Sequence, residues 1–403
     1  MKTYSKGLLA IAGLLWAGIL CGGAFAADTI KVGIVLPLTG AQAKFGEIEK
    51  RSFEMAAEEI NAAGGLRGAK LELLFEDDTG KPDVGRAATE KLISRDKVTV
   101  LTGGYSSAVT QAATAVAQQF KVPFLVTTGS ADEITEKGYD YIFRINPTSS
   151  EYFDPFETLI QKVGGIKTMA LLYENTQFGQ SSAKDVEGAA KNAGIQVAVK
   201  EGYQAGAIDF KPILSKVKGA KPDMIYMVSY VMDAALLMAQ SKELDINPKM
   251  FAGGGAGFTL PEFQQKAAAA ADLVYSATLW SEDVPYKGAK EYFNKFKKKY
   301  NSETEYHGAE AYASMYVVAD ALKRAISSST PTPKEIRDAL AATDMMTAFG
   351  PVKFISYGKK TQQNKLPNTF VVQWQNGKME TVWPEAFAKK KYLFPTPPWK
   401  ERK

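Results

Sequence analysis

Ile30-Lys31-Val32-Gly33-Ile34-Val35-Leu36-Pro37-Leu38-Thr39-Gly40 decides the fold. A short, mostly apolar and β-branched run ends at a proline and a glycine-bearing turn, the pattern of a buried strand opening an α/β domain. Outward from it, strand and helix patterns alternate almost to the end of the chain. Residues 71–76, 98–102 and 123–126 read as strands, and 83–95 and 108–119 as helices. The alternation restarts with strands at 168–173, 196–199, 224–228 and 249–252. Helices at 179–193, 210–217, 231–241 and 258–271 stand between and after them. Long helical patterns follow at 287–300 and 309–326, then strands at 352–354 and 369–374, with Asn376-Gly377 as a hairpin signal. Short apolar runs between helices make βαβ units and parallel sheets, and two such series make two doubly wound α/β lobes.

Upstream of the first strand, Lys2 and Lys6 precede an uncharged, mostly apolar run over 7–20, and small residues lead to Ala24-Phe25-Ala26. A basic start, an apolar middle and an A-x-A site make a secretory signal over 1–26, cut near Ala26/Ala27, and the protein is expected in the periplasm. The run is short of the ~20 residues that span a bilayer. Lipidation at Cys21 is disfavoured, because Leu20 stands where a small residue is usual.

The leader carries two of the 49 basic residues and none of the 44 acidic ones, so the remainder has a net charge near +3. That balance argues for neither nucleic acid nor a membrane surface as partner. The one cysteine, Cys21, lies in the leader, and His307 is the one histidine. Thiolate or multi-histidine metal sites and most histidine-dependent catalytic sets are thereby excluded, and no cofactor is expected. There is no phosphate-binding G-x-x-x-x-G-K-[ST] and no G-x-S-x-G. The run 249–257, with Gly253 to Gly257, lacks dinucleotide spacing and reads as a loop of close backbone approach.

Ligands of open α/β sheets sit at loops beyond the carboxyl ends of strands. Two such loops read Gly103-Gly104-Tyr105-Ser106-Ser107 and Thr127-Thr128-Gly129-Ser130. Both offer hydroxyls and free amides, which suits a carboxylate. Simple helix capping is the competing account of each loop alone. Phe45, Tyr105, Phe178 and Tyr230 are each best explained by packing, but as a set in cleft loops they enclose an apolar ligand body.

The segments 34–40, 58–68, 76–78, 105–107, 141–144, 221–226 and 371–374 together resemble the substrate-binding proteins of branched-chain amino acid ABC transporters, the Leu/Ile/Val-binding group. The resemblance implies two Rossmann-like lobes joined by three crossovers, 27–145 plus 276–355 and 146–275 plus 356–403, with hinges near Asn146 and Ser276. It implies a monomer that closes on a small ligand and hands it to a membrane permease, without chemistry. Ser107 and Ser130 correspond to carboxylate-binding hydroxyls, Thr128 to a main-chain contact, Phe45 to the side-chain pocket, and Phe178 and Tyr230 to aromatics of the second lobe. One departure stands out. Amino-acid binders of the group place an acid near position 255 to pair with the ligand ammonium, and here Gly255 stands there. Glu310 and Asp233 are the substitutes to consider. The expected ligand is a hydrophobic amino acid, with an aromatic or short aliphatic carboxylate lacking an ammonium as the alternative. An exported enzyme and a sensory ligand-binding subunit are rival classes, disfavoured by the missing catalytic set and the missing membrane helix.

Overall fold

The structure, a computed structural model, describes residues 29–326 and 330–402. The leader reading and Cys21 lie outside the described residues. The first strand, β1 (Thr29–Leu36), buries Ile30, Val32, Ile34 and Leu36 against the helices Ala43–Ala62 and Tyr306–Ala325. Val35, one residue out of phase, faces the helices Pro82–Ser94 and Ser107–Phe120. Alternate residues of a strand point to opposite faces, so a sheet covered on both sides needs this near-continuous apolar run.

The first lobe continues with β2 (Lys70–Asp77), β3 (Val100–Gly103), β4 (Phe124–Val126) and β5 (Ile142–Arg144). The second holds β6 (Thr168–Glu174), β7 (Gln196–Tyr203), β8 (Met224–Val228), β9 (Met250–Gly253) and β10 (Tyr275–Thr278). A small pair, β11 (Asp344–Met346) and β12 (Pro351–Lys353), stands apart. β13 (Ile355–Tyr357) and β14 (Lys360–Gln363) return to the first sheet, and β15 (Phe370–Gln375) and β16 (Lys378–Trp383) to the second. Each sheet has seven strands, ordered β13-β14-β5-β4-β3-β1-β2 and β16-β15-β10-β9-β8-β6-β7. The five leading strands of each lobe are parallel and follow one winding, and antiparallel pairs close the far edges. The expected α/β class with parallel sheets and three crossovers is what the chain forms.

Two expected lobe boundaries shift. The 275/276 boundary falls inside β10, which pairs with β9 and β15 in the second sheet. The 355/356 boundary falls inside β13, which belongs to the first sheet through β14. A strand cannot leave its sheet midway without orphaning its ladder, so the chain crosses after Thr278 and after Gln363 instead. Likewise the expected helix over 258–271 is broken. A 3₁₀ turn at Ala256–Phe258 precedes a helix restarted by Pro261, which ends at Ala268 in a left-handed conformation (φ +50°).

Candidate functional site

The Gly103–Ser107 loop leaves β3 through two glycines with φ +96° and +82°. A Cβ on Gly104 would lie 2.9 Å from Thr110 Oγ1, and one on Gly129 would lie 2.7 Å from the same atom. The two loops therefore nest over Thr110 only because both positions lack side chains. Ser106 sits at the N-cap position of the helix Ser107–Phe120 but does not cap it with its side chain. Ser107 Oγ instead accepts from the amide of Ala131 at 3.1 Å, which ties the first loop to the end of the second. The capping account thus fails for both serines, and the Ser107 proton stays free to donate. The first amides of that helix have no intrahelical partner, and they add to the anion-binding character of this corner.

Arg144 fixes the second loop from behind. It is fully buried and donates to the carbonyls of Gly129 (3.0 Å) and Ala131 (2.7 Å), to Thr135 Oγ1 (3.0 Å) and to Gln363 (2.6 Å). Desolvation pushes its pKa down, with the charge of Asp132 opposing. Asn146 Nδ2 donates to the carbonyl of Thr128 and, at 3.1 Å, to Tyr152. The main chain at Thr128 is thus held by the first crossover.

Tyr105, Ser107, Thr128, Ser130, Tyr152, Phe178, Tyr230, Ala256, Tyr306 and His307 enclose a cavity of about 20 Å³ between the lobes. Phe45 backs it, stacked on Tyr105 with ring centroids 4.6 Å apart and set edge-on to His307 at 4.8 Å. From the second lobe, Phe178 and Tyr230 stack at 5.6 Å, and Tyr230 meets Tyr105 at 5.8 Å. Glu174 positions Tyr230 by accepting its amide at 3.2 Å, and burial pushes this carboxyl up to about 8.

Of the residues the sequence singled out, Tyr105, Ser107, Thr128, Ser130, Phe178 and Tyr230 line this cavity, and Phe45 supports it. Ser106 and Gly129 shape its loops. Gly255 takes φ +77°, and a Cβ there would lie 3.3 Å from both the Tyr152 ring and Tyr306 Oη. Two tyrosines therefore fill the space into which an acid at 255 would project. Glu310 does not line the cavity. It is fully buried behind Thr128, whose hydroxyl lies 3.2 Å from Glu310 Oε2 and 2.9 Å from Glu49 Oε1. The reason is that the helix begins at Tyr306 and not at 309, so Glu310 is a full turn inside the first lobe. Asp233 is spent on the amide of Gly206 at 2.9 Å.

Tyr152, Ala256 and His307 were not read from the sequence as site residues, whereas Tyr306 was expected beside the cleft as a neighbour of Glu310 and does line the cavity. Glu305 starts the helix unconventionally, its carboxylate accepting the amide of His307 and holding His307 Nδ1 at 2.8 Å. Tyr306 Oη accepts the amide of Ala256 at 2.9 Å, and Thr259 Oγ1 reaches Glu305 at 3.4 Å. These bonds join first-lobe helix to second-lobe loop, so the lobes are closed on one another. Among the described residues no group of three or more potential metal ligands is assembled, and no helix is long and apolar enough to cross a membrane.

Residues 29–378, which form both lobes and the cavity between them, match one family model, periplasmic binding protein. The chain belongs to the periplasmic binding protein family. It is 31% identical over 382 residues to Leu/Ile/Val-binding protein homolog 8 of Brucella abortus (strain 2308), covering 91% of this chain and 93% of the relative. The structure of the branched-chain amino acid transporter substrate-binding protein LivJ from Streptococcus pneumoniae, in complex with isoleucine, matches with TM-score 0.79 and 27% identity. That match covers 89% of this chain and 100% of the other. A solute-binding protein of an ABC transporter from Rhodopseudomonas palustris BisB5, in complex with 3,4-dihydroxybenzoic acid, shares the fold with TM-score 0.78 at 24% identity, over 91% and 99% of the two chains. This binding protein is accordingly a non-enzymatic solute-binding component of an ABC transporter.

Proposed function

We propose that this binding protein captures a small aromatic or hydrophobic monocarboxylate lacking an ammonium group, and delivers it from the periplasm to the permease of an ABC importer. One observation carries the reading: none of the ten residues around the cavity is a carboxylate, and Tyr152 and Tyr306 occupy the space beside Gly255. A ligand ammonium placed there would be buried without an anionic partner, at a cost of several kcal/mol. The ligand carboxylate has Ser107, Ser130 and the helix amides as donors, and the rings of Phe45, Tyr105, Phe178 and Tyr230 suit an apolar or aromatic body. The reported complex of a relative in fold with 3,4-dihydroxybenzoic acid is consistent with this class.

A branched-chain amino acid is the second reading, favoured by the isoleucine complex of the 27%-identical LivJ. Calorimetric titration decides between them. Benzoate, phenylacetate and hexanoate are compared with leucine and isoleucine on the ligand-free protein. Tighter binding of the acids without an amino group is expected. Preference for leucine or isoleucine overturns the assignment. The secretory leader over 1–26 belongs to the same proposal. Its check is the N-terminal sequence of the mature exported protein, expected to begin at Ala27.

A further inference from the structure

Glu49 and Glu310 lie immediately behind Thr128, one from each of the two helices that cover one face of the first sheet. Both side chains are completely buried. Among the described residues the only group that hydrogen-bonds either carboxyl is the Thr128 hydroxyl, at 2.9 Å from Glu49 Oε1 and 3.2 Å from Glu310 Oε2. Glu49 Oε2 and Glu310 Oε1 have no partner among the described residues. A hydroxyl carries one hydrogen, so it cannot donate to two carboxylates at once. With both groups ionised, one carboxylate would be buried with no hydrogen bond at all, beside a second negative charge. With one proton present, the acid donates to Thr128 Oγ1 and Thr128 donates to the other carboxylate. Two hydrogens then satisfy the three groups.

We infer that Glu49 and Glu310 share a proton across Thr128 Oγ1 and carry at most one negative charge between them, and that this lets an anionic ligand sit against Thr128. Among the described residues no cation bonds either carboxyl. Glu305 and Asp78 add negative charge near the pair, and Glu305 is itself engaged with His307. Tyr105, Tyr152 and Tyr306, which face the same region, are neutral phenols with raised pKa values. Arg144 pulls the Glu310 carboxyl the other way by its charge, but four of its five N–H groups are held by Gly129, Ala131, Thr135 and Gln363, and it bonds neither glutamate. Desolvation correspondingly drives both carboxyls well above the usual range. The pair acts through Thr128 as a positioning element. It fixes the direction of that hydroxyl and removes a charge that would repel a carboxylate.

Two measurements test this, and only the second rests on the carboxylate reading of the ligand. Infrared difference spectra of the ligand-free protein near neutral pH compare wild type with Glu49→Gln/Glu310→Gln. Glutamine keeps the shape and supplies an amide donor in place of the acid. Loss of a protonated-carboxyl band in the double variant is expected. Loss of carboxylate bands alone overturns the shared proton. Should the double variant fail to fold, Glu49→Gln and Glu310→Gln are read separately, and the inference falls if neither loses an acid band. The second measurement is benzoate affinity between about pH 6 and 9.5. In wild type it is expected to fall by up to about tenfold per unit as the pair loses its proton, while the double variant lacks that fall and is level above about pH 7.5, where the separate contribution of Asp185 has ended. Equal pH profiles overturn the role in ligand binding. If benzoate does not bind at all, the ligand assignment fails while the infrared result still decides the proton.

Discussion

At the level of single residues, the site is a set of hydroxyls made available by bonds elsewhere. Ser107 accepts from the Ala131 amide and keeps its own proton free, so in the proposed function the same side chain joins two loops and donates to the ligand carboxylate. Ser107→Ala should weaken the native ligand by about 1.5–3 kcal/mol, the usual worth of a hydrogen bond to a charged group. Calorimetry reads it, and unchanged affinity would remove Ser107 from the site. The sequence showed these hydroxyls because Gly-Gly-x-Ser-Ser and Thr-Thr-Gly-Ser each follow an unmistakable buried strand. It did not show Tyr152 or His307. A lone tyrosine in a helical pattern looks the same whether it faces a core or a cleft, and only the packing of one lobe on the other separates the two cases. Glu310 misled for a related reason. Its place relative to the cleft depends on the residue at which the helix begins, and Glu305, which caps its own helix through His307, is a weak signal for that start.

At the level of elements, the periodic segments were legible and the boundaries between lobes were not. Strands such as β1 and β8 carry near-continuous apolar runs, and β8 was read at its observed bounds. The return of β13 and β14 to the first sheet rests on one parallel bridge from Gln363 to Arg144, and β13 is largely exposed while β14 is wholly polar, so neither has an apolar pattern to find. The elements also explain how the closed form is held. The helix Tyr306–Ala325 belongs to the first lobe, yet its first residue accepts the amide of Ala256 in the second. Tyr306→Phe keeps the ring stack on His307, whose centroid is 3.8 Å away, and removes only that bond. The buried amide left without a partner costs about 1–3 kcal/mol, and only in the closed form. Ligand affinity should fall by roughly 5- to 150-fold with little change in the unfolding midpoint of the ligand-free protein. Small-angle scattering at subsaturating ligand should show a larger radius of gyration than for wild type. An unaltered affinity would show that this bond does not contribute to closure.

At the level of the whole molecule, opening is a requirement of the geometry. A cavity of about 20 Å³ holds roughly one water, whereas a benzene-sized ring needs about 150 Å³. Capture therefore passes through parted lobes, and whatever titrates between closed and open forms makes affinity depend on pH. Asp185, on the second-lobe helix Gln177–Asn192, is such a group. In the closed form it meets Ser149 Oγ at 3.3 Å, which also lies 3.4 Å from Asp132 of the first lobe, and Asp132 is paired with Lys360 at 2.7 Å. Burial, and then the charge of Asp132, push the Asp185 carboxyl up to about 7, with Lys184 and Lys360 pulling the other way. Parting the lobes returns it to water and toward the ordinary value of about 3.9. A carboxyl with its pKa raised in the closed form binds more protons there, so it favours closure fully below the open-form value. That contribution is lost as pH rises through about 7 and changes no further above it. Ligand affinity should thus decline between pH 5 and about 7.5 and then level off with respect to this group. The decline stays well under tenfold per unit, because the side chain is part-exposed and screened. Asp185→Asn should flatten that segment of the profile and raise affinity above pH 7. Titrations of both proteins with one ligand at pH 5.5 and 8 measure the difference. Parallel profiles would mean that Asp185 has the same surroundings in the open and closed forms, and that closure does not bring it against Asp132.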